Sequence, residues 1–143
     1  MEKGEINFFS ENDFVLQKEN DFRNWVDQVI ESENKYVGDI NFIFCDDEYL
    51  NDINVKYLSH DTYTDIISFD NSIGNTLHGD IFISIDRVEE NSSNFKVDFI
   101  EELKRVVIHG VLHFCGYKDK SERDQELMRR KEEEKMKLFH VEQ

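Results

Sequence analysis

Hydrophobic positions along the chain change period several times, and each change marks an element. Phe22, Trp25, Val26, Val29 and Ile30 recur at helical spacing and predict an amphipathic helix from about 20 to 32. Residues 5 to 9, ahead of it, suit a short strand. Ile40, Phe42 and Phe44 then alternate with Asn41 and Ile43, the period of a strand over about 37 to 45. Asp46 stands where an N-cap is needed for a helix carrying Leu50, Ile53 and Tyr57. Two more strands are expected near 65 to 69 and 80 to 84, followed by a short helix around 86 to 92. Asp98 and Glu101 have the spacing of a capping box and open a long helix through Phe99, Leu103, Val106 and Val107, which Gly116 stops. Ser121 with Asp124 can start a last helix, in which Leu127, Met128, Leu138 and Phe139 read as packing residues. Strands and helices mixed in this way predict an α/β (α+β) chain without fixing a strand order.

Composition narrows the picture. The chain has 143 residues, 38% of them hydrophobic and 12 of them phenylalanine, which is enough for one real core and too little for two. A single domain over 1–143 is therefore expected, with no repeats or linkers to divide it. No segment approaches the apolar length needed to cross a bilayer, and the opening MEKGEINFFSENDF carries no basic leader. The expectation is a soluble, cytoplasmic protein with no membrane partner. Both cysteines fit that compartment as reduced, buried thiols: Cys45 lies in an apolar strand pattern, and Cys115 points away from its helix's polar face.

The net charge of −15 argues against casual contact with nucleic acid, whose binding rests on neutralised phosphates. The charge is unevenly spread. Residues 1–97 hold 7 basic and 21 acidic side chains, whereas residues 98–143 hold 10 and 11. Within the nearly neutral part, Lys104, Arg105, Lys118, Lys120, Arg123, Arg129, Arg130 and Lys131 can line one face. The run RRKEEEKMK at 129 to 137 is better read as a solvated helix with i,i+4 ion pairs.

Chemistry concentrates in that same part, in His109-Gly-Val-Leu-His113-Phe-Cys-Gly-Tyr-Lys-Asp119. Residues four apart lie one above the other on a helix, so two imidazoles can reach one ion, and the chain can turn at Gly116 to bring Asp119 to the same point. Two histidines and a carboxylate leave a fourth tetrahedral position open, as in catalytic rather than structural zinc sites. Gly110 is read as clearing space for the ion. A zinc peptidase with HExxH would carry its glutamate base at position 110, so the glycine disfavours that chemistry. His60 and His78 fall in loop-like stretches, where exposed histidines are ordinary, and His140 reads as tail. Thr64, Asp65 and Ser68 suit turn chemistry as well as contact with RNA or water, and no catalytic role is assigned to them.

Three blocks carry a resemblance to a known family. HGVLHFCGYKD at 109 to 119 follows the signature HGxLHLxGYDH of the YbeY proteins, bacterial metal-dependent endoribonucleases, with Lys118-Asp119 in place of Asp-His. INVKYLSHDTYTDIISFD from Ile53 to Asp70 is similar to the family's LNxxYRxxDxxTDVLSF, with Leu58 in place of the arginine, and Gly79–Ser84 is similar to its GDIxIS strand. The resemblance implies a small, mostly parallel sheet with the HxxxH helix packed beneath it. It also implies single-strand-specific cleavage of RNA in rRNA maturation and ribosome quality control, with one zinc or other divalent ion per chain held by His109, His113 and Asp119. The ion would polarise a phosphoryl oxygen or generate hydroxide. Partners would be rRNA, ribosomal particles and ribosomal proteins, with Lys118, Lys120 and Arg123 as RNA contacts. The alternatives are a non-catalytic ribosome-assembly factor with a structural metal and, behind it, a zinc-dependent peptidase.

Overall fold

The computed structural model describes residues 3–139; His140 lies outside them. Four strands form one sheet, β1 (Ile6–Ser10), β2 (Tyr36–Cys45), β3 (Ile66–Asp70) and β4 (Thr76–Ser84), in the order β1-β2-β4-β3. β1 and β4 flank β2 in parallel, and only β3 runs antiparallel, along β4. The crossovers are helical: α1 (Glu19–Ser32) joins β1 to β2, and α2 (Asp47–Leu58) leads from β2 towards β3. α3 (Ile85–Phe95), α4 (Phe99–Phe114) and α5 (Glu122–Met136) follow β4. The mostly parallel sheet is as expected.

Alternation in β2 divides the two faces. Ile40, Phe42 and Phe44 are fully buried with Ile81 and Ile83 of β4 in the main core, against the α1 stripe and the apolar side of α4. Cys45 and Ile67 face the other way and are covered by Leu50 and Ile53 of α2. α4 is thus the central helix, packed on the sheet and flanked by α3 and α5. Nine of its sixteen residues are buried, so its polar side is narrow and His109 and His113 dominate it.

Several local readings hold and others change. The Asp46 side chain accepts from the Tyr49 amide and that of Ser121 from the Asp124 amide, as caps of α2 and α5. Asp98 is the N-cap of α4 but makes no side-chain capping bond, so the anticipated capping box does not form. His78 is not in a loop: it lies within β4, where its Nδ1 accepts from the Asp39 amide. Leu138 is exposed beyond the end of α5 rather than packed, whereas Phe139 lies edge-on to Trp25 with ring centroids 5.2 Å apart.

Gly110 has a different role from the one expected. A Cβ there would lie 3.0 Å from Ile66 Cδ1 and 3.1 Å from Ile81 Cδ1, so the missing side chain lets α4 approach the sheet and clears nothing for an ion. The glycine also leaves position 110 without the carboxylate that a zinc peptidase of the HExxH type carries there as its base.

Candidate metal centre

The last turn of α4 builds the site. Gly116, at φ 106, adopts a backbone that few other residues tolerate, and its amide bonds back to the His113 carbonyl at 3.0 Å. The Tyr117 amide reaches the Leu112 carbonyl at 3.1 Å, completing a Schellman turn that reverses the chain. Asp119 is thereby returned to the histidine face.

Three donor atoms converge there. Asp119 Oδ2 lies 3.2 Å from His109 Nε2 and 3.3 Å from His113 Nε2, and the two Nε2 atoms are 3.0 Å apart. Among the described residues His109, His113 and Asp119 form the one group of three or more such side chains able to hold a metal ion. The donor set of two imidazole nitrogens and one carboxylate oxygen suits a divalent metal ion, and all three residues line the cleft. Each imidazole is also fixed from behind: His109 Nδ1 is 2.6 Å from Glu132 Oε2, and His113 Nδ1 is 2.9 Å from the Tyr117 carbonyl. Because both partners are acceptors, each Nδ1 carries the proton and each Nε2 presents its lone pair to the centre.

Glu132 was not legible as a site residue. It lies in the run read as a solvated helix face, yet it is 4% exposed, and Lys135 in the same run is 5% exposed. α5 turns this edge inward onto α4, where Arg105 bridges the buried Glu102 and Glu132. Burial acts to lower the His109 pKa, but the Glu132 hydrogen bond and charge, joined by Asp119 and Asp65, outweigh it and raise the pKa above that of an ordinary histidine. Replacing Glu132 with Gln should weaken divalent-metal binding by about tenfold or more. Competition with a chromophoric chelator measures this, and an unchanged affinity would reduce Glu132 to a partner for Arg105.

The cysteines stay out of the site. Burial pushes both thiols up to about 12, so each is neutral at physiological pH; Cys45 is buried as expected, whereas Cys115 is half-buried against the core.

The three donors stand at one wall of an open cleft of about 830 Å³. The end of α2 supplies Asn54 and Leu58 to it, the following loop His60, Thr62, Thr64 and Asp65, and β3 Ser68 and Asp70. Asn54, buried, pins the loop by donating to the Thr62 carbonyl at 2.9 Å and accepting at its own carbonyl from the His60 amide. Among the described residues Lys120 is the one lysine or arginine of this lining, which also holds Asp65, Asp70 and Asp119. Lys118 and Arg123 are exposed outside it. Several of the other basic residues that the sequence could place near the site are engaged elsewhere: Lys104 lies over the Phe139 ring at 4.1 Å, Arg105 joins the two glutamates, and Lys131 pairs with Glu33 and Glu134.

Fold and site together define an α/β protein with a metal-capable centre of two histidines and one aspartate in an open anionic cleft. The family described as Endoribonuclease YbeY matches residues 6–140. A protein named Endoribonuclease YbeY from Christiangramia forsetii is 75% identical over the full length of both chains. One of the same name from Flavobacterium psychrophilum is 64% identical, over 96% of this chain and 99% of its own. The solution structure of TM1509 from Thermotoga maritima shares the fold, with a TM-score of 0.67 at 24% identity over 94% of this chain and 88% of that one. The chain belongs to the Endoribonuclease YbeY family.

Proposed function

We propose that the protein is a metal-dependent endoribonuclease that cleaves single-stranded RNA in rRNA maturation and ribosome quality control, in the cytoplasm, with one zinc ion per chain at His109, His113 and Asp119. Family membership makes it a hydrolase acting on RNA. The observation that carries the metal assignment is the convergence of two Nε2 atoms and one carboxylate oxygen, with both Nδ1 atoms already bonded to acceptors. Zinc suits such a mixed nitrogen and oxygen set. When bound, the ion supplies Lewis-acid stabilisation of charge developing on a phosphoryl group.

The chain's own groups bind and orient the substrate. The cleft opens between α4 and the loop after α2. The hydroxyls of Thr64 and Ser68 line it as hydrogen-bonding groups, and the Lys120 ammonium offers the phosphate a cationic side chain. Leu58, 45% exposed, presents an apolar surface at the end of α2. With three aspartates in the same lining, RNA phosphate is repelled unless cation charge offsets them, so RNA affinity should depend on metal loading as well as on salt.

Charge reversal at Lys120 should therefore cost more RNA affinity than reversal at Lys118 or Arg123, and should lower the slope of log affinity against log salt by about 1. Fluorescence anisotropy with a labelled single strand measures both, and equal losses at the three positions would move the contact face out of the cleft. A second reading, assembly of ribosomal particles through rRNA and ribosomal proteins without cleavage, draws on Leu58 and the anionic cleft. Incubating metal-stripped and zinc-reloaded protein with single-stranded and duplex segments of precursor rRNA separates the two. Cleavage by reloaded protein, confined to the single strand, supports the enzyme; binding without any cleavage supports the assembly factor.

A further inference from the structure

Behind the His113 side of the centre lies a charged network that the chemistry above does not use. Glu33 follows the last turn of α1, where a carboxylate faces the negative end of the helix dipole, and its side chain is only 12% exposed. Such a placement is costly unless strong donors converge on it. Three do. Tyr117 donates its hydroxyl to Glu33 Oε1 at 2.6 Å, Lys135 places its ammonium 2.8 Å from Oε2, and Lys131 lies 3.6 Å from the same oxygen. Lys135 is held in turn, donating to Ser32 Oγ at 2.8 Å, while its carbonyl accepts from Trp25 Nε1 at 2.7 Å.

Tyr117 is the link to the metal centre. Its carbonyl is the acceptor that orients the His113 ring, and its backbone leads within two residues to Asp119. Its hydroxyl, at the other end of the side chain, is anchored on Glu33. We propose that Glu33 is a positioning residue of the metal centre: through the Tyr117 hydroxyl it fixes the backbone that orients His113 and delivers Asp119, and Lys131 and Lys135 make this arm depend on the docking of α5. The inference rests on the metal assignment above. α5 then orients both histidines, His109 directly through Glu132 and His113 through Glu33 and Tyr117. Metal loading and the docking of α5 become reciprocally coupled, as any two linked equilibria must be.

A purely structural role would confine Glu33 to holding α5 against α1. The test uses the full chain, stripped of metal and titrated with cobalt(II), whose visible absorption reports ligand geometry. Tyr117→Phe removes only the hydroxyl and is expected to weaken cobalt binding by about tenfold, the lower end for outer-shell partners, and to alter the absorption band while the metal-free protein still folds, as circular dichroism checks. Glu33→Ala should match it, and the double variant should be no worse than either, because both break one arm. Glu33→Gln, which keeps an oxygen for the Tyr117 hydroxyl, should restore most of the affinity even if its melting temperature falls. A wild-type spectrum and affinity in Tyr117→Phe would overturn the proposal, as would Glu33→Gln behaving like Glu33→Ala. Wild-type protein that binds no cobalt would instead overturn the metal assignment itself, and this arm with it.

Discussion

His113→Ala and Asp119→Ala proteins should each emerge from dialysis without stoichiometric metal, and neither should cleave RNA measurably. Either change leaves two donors where three converge, and neither residue is fully buried, at 31% and 40% side-chain exposure, so the fold should survive. Metal analysis alongside circular dichroism checks both statements; a variant that stays folded and metal-loaded would remove its residue from the ligand set. The same site predicts a pH dependence. A histidine must be neutral to bind metal, and His109 has its pKa raised in the metal-free protein by Glu132, Asp119 and Asp65 against the opposing effect of burial. Its raised value means that the protonated ring is favoured by folding: that stabilisation is complete below the ordinary histidine pKa and is lost as the pH rises through the higher folded value. Metal competes with this proton. Occupancy at limiting zinc should therefore begin to fall, as the pH is lowered, at a higher pH than an ordinary histidine site would show, and Glu132→Gln should move that onset downwards.

Gly110→Glu should unfold the protein or leave it insoluble. The substitution writes the HExxH pattern into α4, yet the new side chain starts about 3 Å from the tips of Ile66 and Ile81, inside the helix–sheet contact. An unpaired carboxylate buried there costs several kcal/mol, a large share of the roughly 5–15 kcal/mol that holds a domain together. Gly110→Ala is the contrasting case. Its methyl group meets the Ile66 Cδ1 and Ile81 Cδ1 and Cγ2 methyls at 3.0–3.1 Å, and the gain of up to about 1 kcal/mol in helix propensity offsets the small shift they must make. Urea denaturation should place Gly110→Ala near wild type and Gly110→Glu far below. A Gly110→Glu protein of ordinary stability would show that this position faces the cleft.

These two cases also show how far the sequence could be read. The convergence of the three candidate donors was legible because it depends on local geometry: helical periodicity aligns His109 with His113, and Gly116 announces the reversal that returns Asp119. The strand pattern of Ile40, Phe42 and Phe44 was legible for the same reason, since alternation follows from the pleat itself. Glu132 and Lys135 were not, because a run of glutamates and lysines has the same composition whether it meets water or meets buried partners. Only the docking of α5 on α1 and α4, across more than 20 residues of sequence, turns two of those charges inward. Gly110 was misjudged through its neighbours in sequence: it adjoins a candidate donor but, about 100° further round the helix, faces Ile66 and Ile81 of the sheet. The cleft itself joins the end of α2, its following loop, β3 and the turn after α4, an assembly that no single stretch of sequence displays.

Crystals of zinc-reloaded protein, measured on both sides of the zinc absorption edge, test the central claim most directly. The account predicts one anomalous peak per chain, at about 2.0–2.2 Å from His109 Nε2, His113 Nε2 and Asp119 Oδ2, with its open side towards the cleft. A peak on other residues, or none at these three atoms in fully reloaded crystals, would contradict it.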